Sequence, residues 1–288
     1  MAKGKTILSF DIGGSRIRAA RNGVPLGEVP TPLTDYAAFV GALRGFLRGD
    51  ERGVAVAIAG FVDAGTGRAT IANIPCVSGL ALEDDLTDAL NLPVMVLNDA
   101  DCFALAEMAK GSARGHRNVF AIILGSGVGG ALLIDGRLVQ GAGGFSGEWG
   151  HGAIIRDPVF ACGCGQSGCL DTVGSARGIE RLHHHLTGQT IGSVEVIRRW
   201  RAGQPSPAVP LWLDLLSGPL ALIVNTVGAS IVPVGGGLSN DTALIAALDR
   251  AVRARILCRT DGPVVVVATT GADSGLIGAS VAGEAGFG

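Results

Sequence analysis

Four residues between Gly143 and Asp171 have the types and spacing of a metal site: His151, Cys162, Cys164 and Cys169, in the order H-x10-C-x-C-x4-C. Three thiolates and one imidazole satisfy tetrahedral zinc, and Gly163, Gly165 and Gly168 let the chain turn tightly enough to bring three sulfurs together. With every coordination position taken by protein, such a site is closed, which implies a structural zinc that locks a loop. The alternative is three cysteines buried as small hydrophobes, or a redox pair, beside an unrelated histidine. The Gly-rich polar surroundings favour the metal. The same stretch carries Glu148 and His151, three apart, and Asp171 just after the last cysteine. Carboxylates and an imidazole on a rigid loop can hold hydroxyl groups by charge-assisted hydrogen bonds.

A second set of chemically capable residues is Asn98-Asp99, at the end of an apolar run and the start of DADCFALAEMAK. Asp99 can cap that helix, or it can take a proton from a hydroxyl; the two readings compete evenly on the residues alone. Asn73 and Ser78 stand just beyond a strand end, where ligands bind in open α/β sheets, and spacing alone equally makes them plain turn residues. A third set is glycine-rich. DIGGS at 11–15 and LGSGVGG at 124–130 each join two apolar strands by a glycine turn whose backbone N–H groups can meet an anion. Gly235-Gly236-Gly237 follows the strand at 230–234, at a junction suited to close approach of a nucleoside.

The elements that must position these residues are legible in outline. Residues 6–24 read as strand, Gly-Gly turn, strand and Asn-Gly turn, and residues 119–139 repeat that order with an Asp-Gly turn. Their separation is too long for a solenoid, so the repeat implies two similar domains. The expected division is a small N-terminal α/β lobe at 1–97, with the C-terminal helix 273–288 packing back on it, and a large lobe at 98–272 carrying the metal loop. Thr34 or Asp35 can cap a helix that presents Phe39, Leu43, Phe46 and Leu47 on one face. Further helices are expected at 80–90, 99–110, 175–186, 210–228 (broken near Gly218-Pro219), from Ser239 or Asn240 to Leu257, and 273–282. A turn-rich stretch, FVDAGTGRA, follows Gly60. Residues 187–210 read as loop, and His183, His184 and His185 as part of a solvated face, since neighbours on a helix point in different directions.

Composition bounds the rest. The chain has 288 residues, 48% hydrophobic, 17% charged, with 46 glycines and a net charge of −2, which describes an α/β protein with many tight turns. There is no basic block or acidic tail, so nucleic acid and membrane surfaces are not expected partners. No run of about 18 apolar residues lacks turn signals, Pro210–Val224 coming nearest, and the start has no secretory pattern; a cytoplasmic protein is expected. There Cys76, Cys102 and Cys258 are expected as free, buried thiols.

Together, DIGGS, NDADCFALAE at 98–107, LGSGVGG, GEWGH at 147–151, CGCGQSGCLD at 162–171 and VGGGLS at 234–239 resemble the ROK family of sugar kinases and repressors. The resemblance covers nearly the whole chain, and ANIPCVSG with LNDADCFALAE is most similar to its bacterial N-acetylglucosamine kinases. It implies a two-lobed, actin-like ATPase fold (ribonuclease H-like) that closes over sugar and ATP. It implies Asp99 as catalytic base toward the 6-hydroxyl, with Asn98, Glu148, His151 and Asp171 around the ring and Asn73, Ser78 and Gly79 on its other side. His151 then serves zinc through one nitrogen and the sugar through the other. Gly13, Gly14, Ser15, Gly125, Ser126, Gly127 and Gly129 would hold phosphates, Asp11 would orient Mg2+ through water, and Gly235, Gly236 and Gly237 would take the adenosine.

Two departures stand out: the family usually has Glu at Asp171 and Thr at Ser15 and Ser126. The expected ligands are therefore ATP, Mg2+, structural Zn2+ and a sugar, in a homodimer. The rival readings are a ROK hexokinase for glucose, fructose or N-acetylmannosamine, a catalytically silent sugar sensor, and a repressor. The last is disfavoured because no helix-turn-helix precedes the first glycine hairpin.

Overall fold

The computed structural model describes residues 6–63, 66–71 and 73–288. The first five residues, Ala64 and Gly65 of the expected turn-rich stretch, and Ala72 lie outside the described residues. The chain divides into two compact units. The first comprises residues up to Ala109 with Gln140–Ser146 and Thr270–Gly288, and the second Lys110–Val139 with Gly147–Thr269.

In the first unit the elements are β1 (Thr6–Ile12), β2 (Arg16–Arg21), β3 (Val24–Pro30), α1 (Tyr36–Arg44), β4 (Glu51–Ile58), β5 (Phe61–Val62), β6 (Ala69–Thr70), α2 (Leu82–Leu90), β7 (Val94–Asn98) and α3 (Asp99–Lys110). Helix α3 counts with this unit, beyond the boundary expected at 97/98. The main sheet runs β3-β2-β1-β4-β7, antiparallel through β1, β2 and β3 and parallel through β1, β4 and β7. The near-continuous apolar character of β1 and β4 follows from burial on both faces. Asn22 and Gly23 both adopt left-handed backbone (φ 47° and 74°), the geometry that matches a two-residue hairpin to strand twist. Asp35 caps α1 by accepting from Ala38 N at 3.0 Å, and Phe39 and Leu43 go into the core. Phe46 and Leu47 fall past the helix end and still pack on that core.

The second unit contains β8 (Val119–Leu124), β9 (Val128–Ile134), β10 (Arg137–Leu138), α4 (Asp171–Gly174), α5 (Ala176–Thr187), α6 (Ser193–Arg201), α7 (Ala208–Val227), β11 (Val232–Gly235), α8 (Thr242–Arg253) and β12 (Val265–Val267); α9 (Ser274–Phe287) returns to the first unit. The sheet order is β10-β9-β8-β11-β12, with the same strand directions as in the first unit. The repeat seen in the residues is thus a repeat of topology. Asp135 and Gly136 reproduce the left-handed pair of the first hairpin at φ 51° and 73°. On the first sheet, Ser280 of α9 hydrogen-bonds Ser9 of β1 at 2.8 Å in a buried contact.

Several local expectations are corrected. Residues 193–201 form helix α6 within the stretch expected as loop, with Val196 and Ile197 buried and Glu195 bridging Arg198 and Arg199. Helix α7 runs unbroken through Gly218-Pro219. An interior proline costs about 3 kcal/mol, but Trp212, Leu216, Leu220 and Val224 are buried in the second core and each such side chain contributes roughly 1.5–3 kcal/mol. By length and composition α7 could cross a membrane; its buried stripe makes it a core helix.

The cap of α8 is Asp241, accepting from Leu244 N at 2.9 Å, while 237–240 form a 3-10 turn ahead of it. His183 is buried at 2% exposure, unlike His184 and His185, because it lies four residues after Ile179 and so shares the core face. Cys258 is exposed and Cys76 partly so; only Cys102 of the three is buried.

Candidate functional site

The four expected ligands come together. One ligand atom from each of His151, Cys162, Cys164 and Cys169 lies within 4.8 Å of all the others. Cys162 Sγ is 3.8 Å from His151 Nδ1, and Cys164 Sγ is 3.6 Å from Cys169 Sγ. A tetrahedron with metal–sulfur bonds of about 2.3 Å has edges of about 3.8 Å, so the donor set and its spacing fit a zinc ion. The other ring nitrogen, Nε2, lies 3.8 Å from Glu148 Oε2. The backbone N–H of Gln166, helped by the Cys162 thiol, holds Cys164 down at about 7. Burial, reinforced by the neighbouring Cys164 thiol, pushes Cys169 up to about 11.

This loop presses on the second glycine hairpin. Trp149 Nε1 donates to Gly129 O at 2.9 Å, and its ring meets Phe120 edge to face at 5.8 Å. Gly147 sits at φ 83°, and a Cβ there would lie 2.2 Å from Gly130 O, so only glycine allows this approach. Asp171 Oδ1 accepts from Val128 N at 2.7 Å, and the backbone N–H of Asp171 donates to Gly150 O at 2.7 Å. Asp171 therefore braces the hairpin with one oxygen. Gly125 N donates to Gly127 O at 3.0 Å, closing the turn around exposed Ser126.

In the first unit, Gly13 N donates to Arg16 O at 3.0 Å, and Thr31, past the end of β3, holds the turn from outside, its hydroxyl donating to Gly13 O at 2.7 Å and its N–H to Ser15 O at 3.1 Å. Asn73 is exposed and packs against Gly14. Ser78 Oγ accepts from Ile71 N at 3.2 Å and Gly79 N donates to Ala69 O at 2.7 Å, so both are tied into the β6 turn while remaining exposed. At the end of β7, Asn98 Oδ1 accepts from Ala100 N at 2.6 Å and its amide donates to Gly60 O. Asn98 thus shares the capping of α3 with Asp99, whose Oδ1 accepts from the same N–H at 2.9 Å. Asp99 is exposed at that corner.

Two cavities bear on these residues. One of about 420 Å³ in the second unit is lined by Ala176, Val194, Ile197, Gly237, Leu238 and Asn240, largely apolar with a polar edge. Gly237 belongs to it; Gly236 turns beneath, where a Cβ would meet Leu124 O at 2.5 Å. The other, about 280 Å³ in the first unit, is lined by Gly60, Glu83, Asn98, Asp101 and Gln140 among others, and of the expected sugar residues it includes Asn98.

Two structurally engaged groups have no role assigned from the sequence. Glu107, fully buried on α3, accepts from Thr270 N at 2.7 Å and from its hydroxyl at 2.6 Å. Arg18 is hydrogen-bonded to Asp11 and Asp273. Its signal was present in the chain: a hairpin folded about Gly13–Ser15 puts residue 18 opposite residue 11.

Comparison with known proteins agrees with this architecture. The chain matches the ROK family model over residues 9–283. It is 33% identical to N-acetylgalactosamine kinase AgaK of Shewanella sp. (strain ANA-3), covering 96% of each chain. It is 32% identical to N-acetyl-D-glucosamine kinase of Photobacterium profundum, covering 94% of this chain and 97% of that one. Among solved structures it is similar to a ROK family glucokinase from Streptomyces griseus in complex with glucose and AMPPNP, with a TM-score of 0.73, 26% identity, and 98% and 100% of the two chains covered. Two units with duplicated sheets, the Cys3His cluster and a family match spanning nearly every residue lead to one conclusion: the chain belongs to the ROK family, with its two-lobed, actin-like α/β ATPase fold.

Proposed function

We propose that this protein is an ATP-dependent kinase that phosphorylates N-acetyl-D-glucosamine on its 6-hydroxyl, with Asp99 as general base. The observation that carries the reading is the corner at the end of β7. There the Asn98 side chain bonds both Ala100 N and Gly60 O, and Asp99 is exposed beside it. Asp99 accepts the O6 proton as that oxygen attacks the γ-phosphorus of ATP; the β–γ bridging bond breaks, and ADP and the sugar 6-phosphate leave. Because phosphoryl transfer passes through a loose transition state, positioning and charge neutralisation do most of the work. A base so placed contributes on the order of 10² to 10⁴.

In this reading Asn73, Ser78, Gly79, Asn98, Glu148, His151 and Asp171 bind the sugar; Gly13, Gly14, Ser15, Gly125, Ser126, Gly127 and Gly129 bind the phosphates; and Gly235, Gly236 and Gly237 bind the adenosine. The cavity at Gly237 supports this last assignment: its apolar wall and polar edge suit a purine. Asp11 carries two acceptor oxygens, enough to hold a metal-bound water while pairing with Arg18. Mg2+, when bound, neutralises phosphate charge. His151, Cys162, Cys164 and Cys169 hold a structural zinc that fixes the Glu148–His151 segment. A cytoplasmic homodimer belongs to this reading.

Asp171 uses one oxygen on Val128 N, so it acts on the sugar through its remaining oxygen. The similarity to an N-acetylgalactosamine kinase favours a second reading, in which the 4-hydroxyl of the other epimer is accepted. An ATP-consumption assay with Mg2+ across N-acetylglucosamine, N-acetylgalactosamine, N-acetylmannosamine, glucose and fructose separates these. A site that hydrogen-bonds an acetamido group penalises sugars lacking it by about tenfold or more. Turnover on glucose equal to that on the N-acetyl sugars refutes the acetamido assignment. Asp99→Asn is expected to abolish turnover while N-acetylglucosamine still binds; retained turnover refutes the base.

A further inference from the structure

Antiparallel pairing places Arg18 directly across from Asp11. On β2 its neighbours Ile17 and Ala19 are buried, which turns Arg18 to the other face. There Nη2 donates to Asp11 Oδ2 and to the backbone oxygen of Ala272, and Nη1 donates to Asp273 Oδ1 at 3.0 Å. One guanidinium therefore joins β1, β2 and the turn that leads into α9. The fit is tight on the far side: a Cβ on Gly275 would lie 2.7 Å from Asp11 Cγ, so the carboxylate rests against the first turn of α9 and glycine makes the room. Arg18 and Asp11 are partly buried, at 29% and 21% side-chain exposure, and Asp273 is exposed at 66%.

The charges decide what this arrangement does. Asp11 precedes the Gly13–Ser15 turn assigned above to phosphate, and Asp273 adds a second carboxylate to the same cluster. A metal-free triphosphate is strongly anionic and is repelled by two carboxylates. Mg2+ relieves that repulsion but is removable, whereas an arginine is positive at every working pH. We infer that Arg18 is a positioning residue that holds the Asp11 carboxylate and compensates the Asp11–Asp273 pair, so that the nucleotide's phosphate tail is accepted before its metal is in place. The inference rests on the proposed ATP site. It makes Arg18 the group that sets how strongly nucleotide binding depends on Mg2+.

The test is calorimetric binding of AMPPNP to the full chain with and without Mg2+, in wild type, Arg18→Gln, Arg18→Lys and Asp273→Asn. Mg2+ is withheld by omission, because a chelator would also attack the thiolate cluster. Arg18→Gln is expected to weaken metal-free binding about tenfold while weakening Mg2+-loaded binding no more than about threefold, since the metal supplies the missing charge. Arg18→Lys keeps the charge and should recover most of the loss, and Asp273→Asn should strengthen metal-free binding by about threefold. A purely structural role for Arg18 lowers thermal stability and weakens both arms alike. Equal losses in the two arms, or no response to Asp273→Asn, overturn the role of Arg18 and leave the ATP site standing. Absence of AMPPNP binding by wild type in both arms overturns the ATP site and the inference with it.

Discussion

The β1–β2 hairpin of the first unit and the β8–β9 hairpin of the second occupy the same place in matching sheets, yet they are braced by different physics. In both, an apolar pair closes the turn, Ile12 with Ile17 and Leu124 with Val128. One step back the first hairpin sets Asp11 against Arg18, and the second sets Ile123 against Gly129. The first is held by charge, through Arg18 to the turn before α9. The second is held by close packing of Gly147 and by hydrogen bonds of Trp149 and Asp171 to its backbone. Duplication of a backbone therefore leaves the support of each copy free to diverge. The first copy is tied by an ion pair, and the second lies against the loop that carries the Cys3His cluster.

The largest test of that contrast is removal of the metal. Structural zinc contributes roughly 10–16 kcal/mol of binding free energy in small zinc domains. Chelation is therefore expected to release one zinc per chain, lower the melting temperature by roughly 10 °C or more, and speed amide exchange of β8–β9 far more than that of β1–β2. Equal acceleration in both hairpins would show that the loop does not brace the second one selectively. A smaller effect is expected from Gly147→Ala, which meets Gly130 O and requires a left-handed backbone. A loss of about 2–4 kcal/mol in denaturant unfolding is expected, again with exchange concentrated in β8–β9. A loss under about 0.5 kcal/mol would show that the hairpin and loop can part freely.

The smallest effect sharpens the packing side. His183 is buried in the second core with neither ring nitrogen hydrogen-bonded among the described residues. Burial, together with the positive charges of Arg199 on α6 and His184, lowers its pKa. The unfolded chain then binds the proton more readily, so stability is lost as pH falls below about 6.5, down toward the depressed folded value. The slope is at most about 1.4 kcal/mol per pH unit. His183→Leu should remove that part of the slope in unfolding curves taken from about pH 7.5 to 5.5, the range that brackets the ordinary histidine value; an unchanged slope would assign the acid loss elsewhere. Glu51, a buried carboxylate of the first unit, acts outside that range. Burial works against its charge, but the backbone N–H of Arg48 and the Arg21 guanidinium hold it below its ordinary range, and its contribution disappears only at lower pH.

The sequence alone determined what depends on near neighbours. The Asn-Gly and Asp-Gly hairpin turns, a helix cap at Thr34 or Asp35 and the spacing of the four-ligand set are each written within a short stretch of chain, where spacing constrains geometry. Tertiary structure decided what depends on approach from afar: Gly147 against Gly130, Asp171 on Val128, α7 continuing through Pro219, His183 turned inward, and Arg18 reaching Asp273. The physical reason is that periodicity names a face but not what packs on it. Whether a proline is tolerated, a histidine buried or a carboxylate paired follows from the free energy of surfaces that meet only in the folded chain.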